Sequence, residues 1–168
     1  MKLYLLRHGL AAQRGLRWGK DAQRPLTAKG RRKLGQVAQA MKALGLSFDL
    51  ILSSPYLRAR QTAELVAGTL HASKKLRFSE ALRPQGSFKE LLSELQAAGP
   101  LPGKVLLVGH EPYLSELCSL LLSGEAGLRL SFRKAGLCKL LIETLKPGRC
   151  ASLDWLLTPK QMARMSQG

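Results

Sequence analysis

Aromatic residues make up only 5% of this 168-residue chain, so few rings are available to stack on nucleic-acid bases. Cysteine is scarcer still. Cys118, Cys138 and Cys150 are odd in number, widely spaced and form no C-x-x-C pair. That argues against a disulfide framework or a zinc site and leaves them as buried small hydrophobes. No apolar stretch approaches the ~20 residues needed to cross a bilayer, and no membrane partner is expected. The run Leu3–Leu6 is cut after four residues by Arg7-His8, short of the roughly 7–15 of a secretory leader. The expectation is an opening β-strand in a cytoplasmic protein. Internal repeats, low-complexity tracts and linkers are also missing, so one domain over residues 1–168, built on one core, is expected.

Acidic residues are the other shortage, with 11 Asp and Glu against 27 Lys and Arg and a formal net charge of +16. The imbalance is concentrated early: residues 1–84 carry 17 basic side chains against 4 acidic ones. Such a field favours an anionic partner, whether nucleic acid or a phosphorylated protein. Composition alone does not choose between them. The basic segment Arg14–Arg24, with Trp18 inside it, is a candidate for steering an acidic surface.

What is present is a 45% hydrophobic chain with an alternating pattern. Residues 2–7, 48–53 and 104–109 read as apolar strands. A helix is expected from the N-cap Thr27 to Leu44, stopped by Gly45. Another should follow Ser54 with Pro55 at its first position and run to about Leu70. Phe88–Ala97 and Tyr113–Leu122 read as further helices. Leu128–Phe132, Leu137–Ile142 and Leu153–Leu157 read as strands, and the tail from Thr158 as a terminal helix or an irregular end. Strand–helix alternation followed by hairpin-like strands predicts an α/β fold with a mixed, mostly parallel sheet.

In such sheets ligands bind at the carboxyl ends of the strands, and three of these ends carry Arg7-His8-Gly9, Ser53-Ser54-Pro55 and Gly109-His110. A neutral imidazole at His8 can act as a nucleophile; taken alone, it reads equally as a strand-end histidine held by a backbone hydrogen bond. Arg7 offers a planar fork that matches phosphate oxygens. Arg58 sits in the first turn of a helix, where backbone N–H groups also favour an anion. Each arginine alone reads as a solvated charge. His110 is expected to donate a hydrogen bond, as a cation, to an oxygen gaining charge, or merely to cap the next helix. His71 has no comparable setting.

Leu6-Arg7-His8-Gly9, the run from Ser53 to Ala63 and Val108-Gly109-His110-Glu111-Pro112 together resemble the histidine phosphatase, or phosphoglycerate mutase-like, superfamily. The segment Asp21–Thr27 and the short length resemble its SixA-type phosphohistidine phosphatases. The resemblance implies a three-layer α/β/α sandwich. It implies that His8 is phosphorylated during turnover, with Arg7, Arg58 and His110 forming the phosphate pocket. It implies chemistry without a metal or other cofactor. It points to Glu80 as the family's general acid, although Glu80 reads equally as a surface carboxylate. The preferred substrate is a phosphohistidine-bearing protein, with small phosphorylated metabolites as the alternative. A nucleic-acid-binding role is the outside reading, because it leaves the placement of Arg7, His8, Arg58 and His110 without a reason.

Overall fold

A computed structural model describes residues 1–13, 15, 19–97 and 102–165. Six strands, β1 (Lys2–Arg7), β2 (Leu50–Ser53), β3 (Leu76–Phe78), β4 (Lys104–Gly109), β5 (Leu137–Ile142) and β6 (Ala151–Leu157), form one sheet in the order β3-β2-β4-β1-β5-β6. The first four in that order are parallel; β5 pairs antiparallel with β1, and β6 antiparallel with β5. Five α-helices accompany them: α1 (Ala28–Ala43), α2 (Leu57–Thr69), α3 (Phe88–Ala97), α4 (Tyr113–Ser123) and α5 (Pro159–Met165).

The central strands are apolar on both faces, so the sheet is covered on both. Leu3 and Leu5 of β1 and Val105 and Leu107 of β4 face the side where α3 and α4 contribute Leu91, Leu95, Leu114 and Leu117. Tyr4, Leu6, Leu106 and Val108 face the other side, against Leu34 and Met41 of α1, Val66 of α2 and Met162 of α5. This is the expected three-layer α/β/α sandwich.

Local chemistry sets the boundaries. Thr27 caps α1, its hydroxyl accepting from Gly30 N at 2.9 Å, and Gly45 ends the turn at φ +65°. Gly30 is required for a different reason. A Cβ there would lie 2.1 Å from the Leu10 carbonyl oxygen, so only glycine lets α1 press against the loop that follows β1.

Three expectations change. Pro55 precedes α2 rather than opening it. Ser54 N still bonds to Val108 O at the end of β2, and the Ser54 hydroxyl accepts from Tyr56 N, so the helix starts at Leu57. Leu128–Phe132 is not a strand: the N–H groups of Gly127 and Leu128 donate to Ser119 Oγ and the Phe132 carbonyl accepts from Arg7. β3 was not foreseen, being three residues on the sheet edge with little buried surface.

Candidate active site

Register brings the chemistry to one level. Arg7 pairs with Gly109, and Ser53 with Val108, so β1, β2 and β4 stop side by side. The residues just past their ends, His8, Ser54 and His110, emerge at the same edge, with His8 N bonded to Gly109 O at 3.0 Å. The helix after β2 then delivers Arg58 in its first turn. Thr62, one turn later, donates to Arg58 O and accepts from Gly9 N at 3.1 Å, locking α2 to the His8 loop.

Arg7, His8, Arg58 and His110 line one hollow of about 270 Å³. The two imidazole centroids are 5.1 Å apart. His8, Arg58 and His110 are buried.

Hydrogen bonds decide the protonation of His8. Its Nδ1 lies 2.7 Å from the Gly9 carbonyl, which can only accept, and its Nε2 lies 3.2 Å from Arg58 Nε–H, which can only donate. The ring is therefore neutral with the proton on Nδ1 and a lone pair on Nε2. Burial is the largest influence and pushes its pKa down to about 3; the Gly9 carbonyl opposes this, while Arg58, Arg7 and Lys134 add to it.

Arg58 is fixed from its far side: NH1 donates to the Asp21 carbonyl at 2.8 Å and NH2 to Asp21 Oδ2 at 2.9 Å. Arg24 holds the same carboxylate at 2.8 Å and reaches Ala12 O at 2.7 Å. Arg7 donates through NH1 to Phe132 O at 2.6 Å, while its buried Nε has no partner among the described residues.

His110 Nε2 lies 2.8 Å from Ser54 Oγ. In the tautomer that lets Ser54 Oγ donate to Nε2 the N–H sits on His110 Nδ1; the same hydroxyl accepts from Tyr56 N at 3.3 Å. Nδ1 is buried with no partner among the described residues, which is where a bonded ligand oxygen would restore the balance. Burial, then His8 and Arg58, push His110 down to about 2. The imidazole is thus neutral, unlike the cation expected from the sequence.

Glu80 is not brought here. It sits exposed in a 3₁₀ turn after β3 and pairs with Arg83. The carboxylates that do line the hollow are Asp21 and Glu111. Glu111 is raised by burial, offset by the Ser115 hydroxyl and Arg7, and it accepts from Ser115 N and Oγ at 3.1 and 2.9 Å. Lys134 also reaches the hollow, from the segment expected to follow a strand. Of the steering segment, Arg24 is spent on Asp21 and Ala12, whereas Arg14, Arg17 and Trp18 lie outside the described residues. His71 is exposed and remote from the hollow.

The two depressed histidines fix a pH dependence of stability. Unfolded imidazoles titrate near 6.5, folded His8 near 3 and His110 near 2. Between these limits the unfolded chain binds protons that the folded chain refuses, so stability rises with pH across that window. It is complete above pH 6.5 and falls on acidification, by roughly 2 kcal/mol per histidine at pH 5. Urea midpoints measured from pH 7 to pH 5 should fall steeply for the native chain. The His8→Ala/His110→Ala chain should show a flatter slope, whatever its absolute stability.

A family model described as histidine phosphatase superfamily (branch 1) matches residues 3–85. The chain is 42% identical over 138 residues to an uncharacterized protein of Picosynechococcus sp. (strain PCC 7002), covering 82% of each. It is 32% identical over 126 residues to phosphohistidine phosphatase SixA of Escherichia coli K12, covering 74% of this chain and 76% of that one. Among solved structures, protein histidine phosphatase SixA complexed with tungstate superposes with a TM-score of 0.81 at 26% identity, over 95% of this chain and 98% of that chain.

Proposed function

Because the chain belongs to the histidine phosphatase superfamily and is a phosphatase hydrolase, we propose that it hydrolyses phosphohistidine on a protein, through a phosphoryl group carried transiently by His8 and without a metal. One observation carries this reading: an imidazole whose Nε2 lone pair is held unprotonated in a hollow lined by the guanidiniums of Arg7, Arg24 and Arg58. The SixA relatives, named as phosphohistidine phosphatases, supply the substrate class.

In the first step the Nε2 lone pair of His8 forms a bond to phosphorus. The substrate's P–N bond breaks, and its electron pair leaves on the departing imidazole, which takes up a proton. Water then attacks the phosphorylated His8, releasing orthophosphate and the free ring. Arg58 Nε–H occupies the attacking lone pair at rest, so attack exchanges that bond for one to a phosphoryl oxygen. The bonds to Asp21 keep the guanidinium in place while this happens. Arg7 supplies the second fork and His110 Nδ1–H a neutral donor. Phosphoryl transfer asks mainly for positioning and electrostatic stabilisation, and these groups provide both. A P–N bond is labile enough to ask little of a general acid, which suits a hollow whose two carboxylates already accept hydrogen bonds.

The test is a substrate panel in chelator-treated buffer. A phosphohistidine peptide should turn over with a kcat/KM well above those of sugar and nucleotide monophosphates, and chelation should leave the rate unchanged. Preference for an alkyl phosphate, or loss of activity on chelation, would overturn the corresponding part.

Ser54 acts through His110 as a positioning residue. Ser54→Ala removes the hydroxyl that places the proton on Nδ1, so the imidazole is free to present the wrong tautomer. We expect kcat to fall about 10- to 100-fold, on the scale of one misplaced donor, with KM changed little. A parallel rise in KM would argue instead that the pocket had collapsed.

A further inference from the structure

A furrow between α1 and α5 adjoins the hollow. Its floor is apolar, made by Leu10, Ala135 and Pro159, and its two contiguous parts measure about 420 and 320 Å³, sharing Lys33, Pro159 and Lys160. Five exposed cations rim it: Lys33 from α1, Arg133 and Lys134 from the loop before β5, and Lys160 and Arg164 from α5. Among the described residues no carboxylate lines either part and none of the five has an ion-pair partner. Lys134 belongs to both the furrow and the catalytic hollow, so the two are continuous.

We propose that this furrow docks an acidic, amphipathic helix of the protein that carries the phosphohistidine, while the hollow receives the phosphoryl group; the proposal rests on the substrate class inferred above. Both features of the furrow select this partner. The rim attracts negative charge, and unpaired like charges around one depression focus that field. The floor offers apolar surface, which a helix with one apolar stripe would cover in the usual helix-in-groove manner. A nucleic-acid backbone would satisfy the rim alone, and among the described residues no aromatic ring lines the furrow to stack a base. Rim charges act chiefly on encounter and on its salt dependence.

The experiment uses two phosphohistidine peptides, each extended by the same helix, one bearing Glu and Leu and the other Gln and Leu, with free phosphohistidine as the third substrate. For the native chain kcat/KM on the Glu peptide should exceed that on the Gln peptide by about 10-fold at low salt. The gap should close as the ionic strength rises beyond 0.1 M, where the screening length is ~10 Å. The variant Lys33→Glu/Lys160→Glu/Arg164→Glu should lose this advantage and keep its rate on free phosphohistidine within about two-fold. Equal rates on both peptides, or equal loss on all three substrates, would overturn the proposal. The unphosphorylated Glu peptide, titrated by fluorescence anisotropy, tests the furrow without catalysis. Binding weakened about 10-fold in the variant supports docking even if phosphohistidine proves the wrong substrate, and unchanged binding sinks it. An oligonucleotide that displaces the Glu peptide at equal charge concentration would reassign the furrow to nucleic acid.

Discussion

His8→Ala should lose phosphatase activity by at least about 10⁴-fold, the scale of deleting a covalent nucleophile. The case rests on what remains after the substitution. Arg7, Arg58 and His110 still surround the hollow, so inorganic phosphate or tungstate should still bind, within several-fold of the native affinity. No other group in the hollow presents a lone pair of the same kind: His110 Nε2 is bonded to Ser54, and Asp21 and Glu111 accept from Arg58, Arg24 and Ser115. Binding without turnover would separate nucleophile from pocket. The native chain, mixed with substrate and quenched in alkaline denaturant, should carry the phosphoryl group on the peptide containing His8, because phosphohistidine survives base and not acid. Polyanion binding through the exposed cations should be untouched by the substitution. Activity retained above about one per cent, or a label found elsewhere, would remove His8 from the centre of the mechanism.

The central sheet was legible because the signal there is strong. Val105-Leu106-Leu107-Val108 is buried on both faces, so the bounds of β4 follow from the apolar run alone. α1 announces itself at both ends, by Thr27 and Gly45. What was lost was set by tertiary bonds with no local trace. Leu128–Phe132 alternates like a strand, yet its backbone is claimed by Ser119 and Arg7. β3 exists because it pairs with β2, not because Leu76-Arg77-Phe78 carries a pattern.

The site divides in the same way. The three strand ends were visible as three chemically unusual endings, and parallel register makes them one place. The carboxylates were harder. Glu80 follows β3 closely in sequence, but Ser79 N bonds back to Ser53 O and its hydroxyl donates to Glu94, so the chain turns into solvent at Glu80. Asp21 was hidden by its surroundings, as one acid among Arg17, Lys20 and Arg24. Within the segment it is this carboxylate together with Arg24 that reaches the hollow. Glu111 adjoins His110 in sequence and could have been found by asking which acids flank a strand end.

Arg58 is where geometry and electrostatics meet, and its removal should be the second large effect. Arg58→Ala should lower kcat/KM by about 10³-fold, in the range observed for arginines that stabilise phosphoryl transfer, and should weaken tungstate inhibition as well. The fold should tolerate the change, because Asp21 keeps its pairing with Arg24 and is partly exposed. Arg58→Lys should recover only a fraction. One ammonium cannot bond Asp21 at two points and still reach the phosphoryl oxygens, since the planar fork is what serves both sides at once. The pH profile gives an independent reading. Arg58 lowers the pKa of His8 and of His110, so its loss raises both. Attack needs neutral His8; a raised pKa means that the ring protonates sooner on acidification. The acid limb of kcat/KM should therefore move to higher pH in Arg58→Ala, toward the ordinary imidazole value, while the native limb stays well below it. A variant slower by the same factor at every pH would show that Arg58 grips the phosphoryl group without tuning the nucleophile beside it.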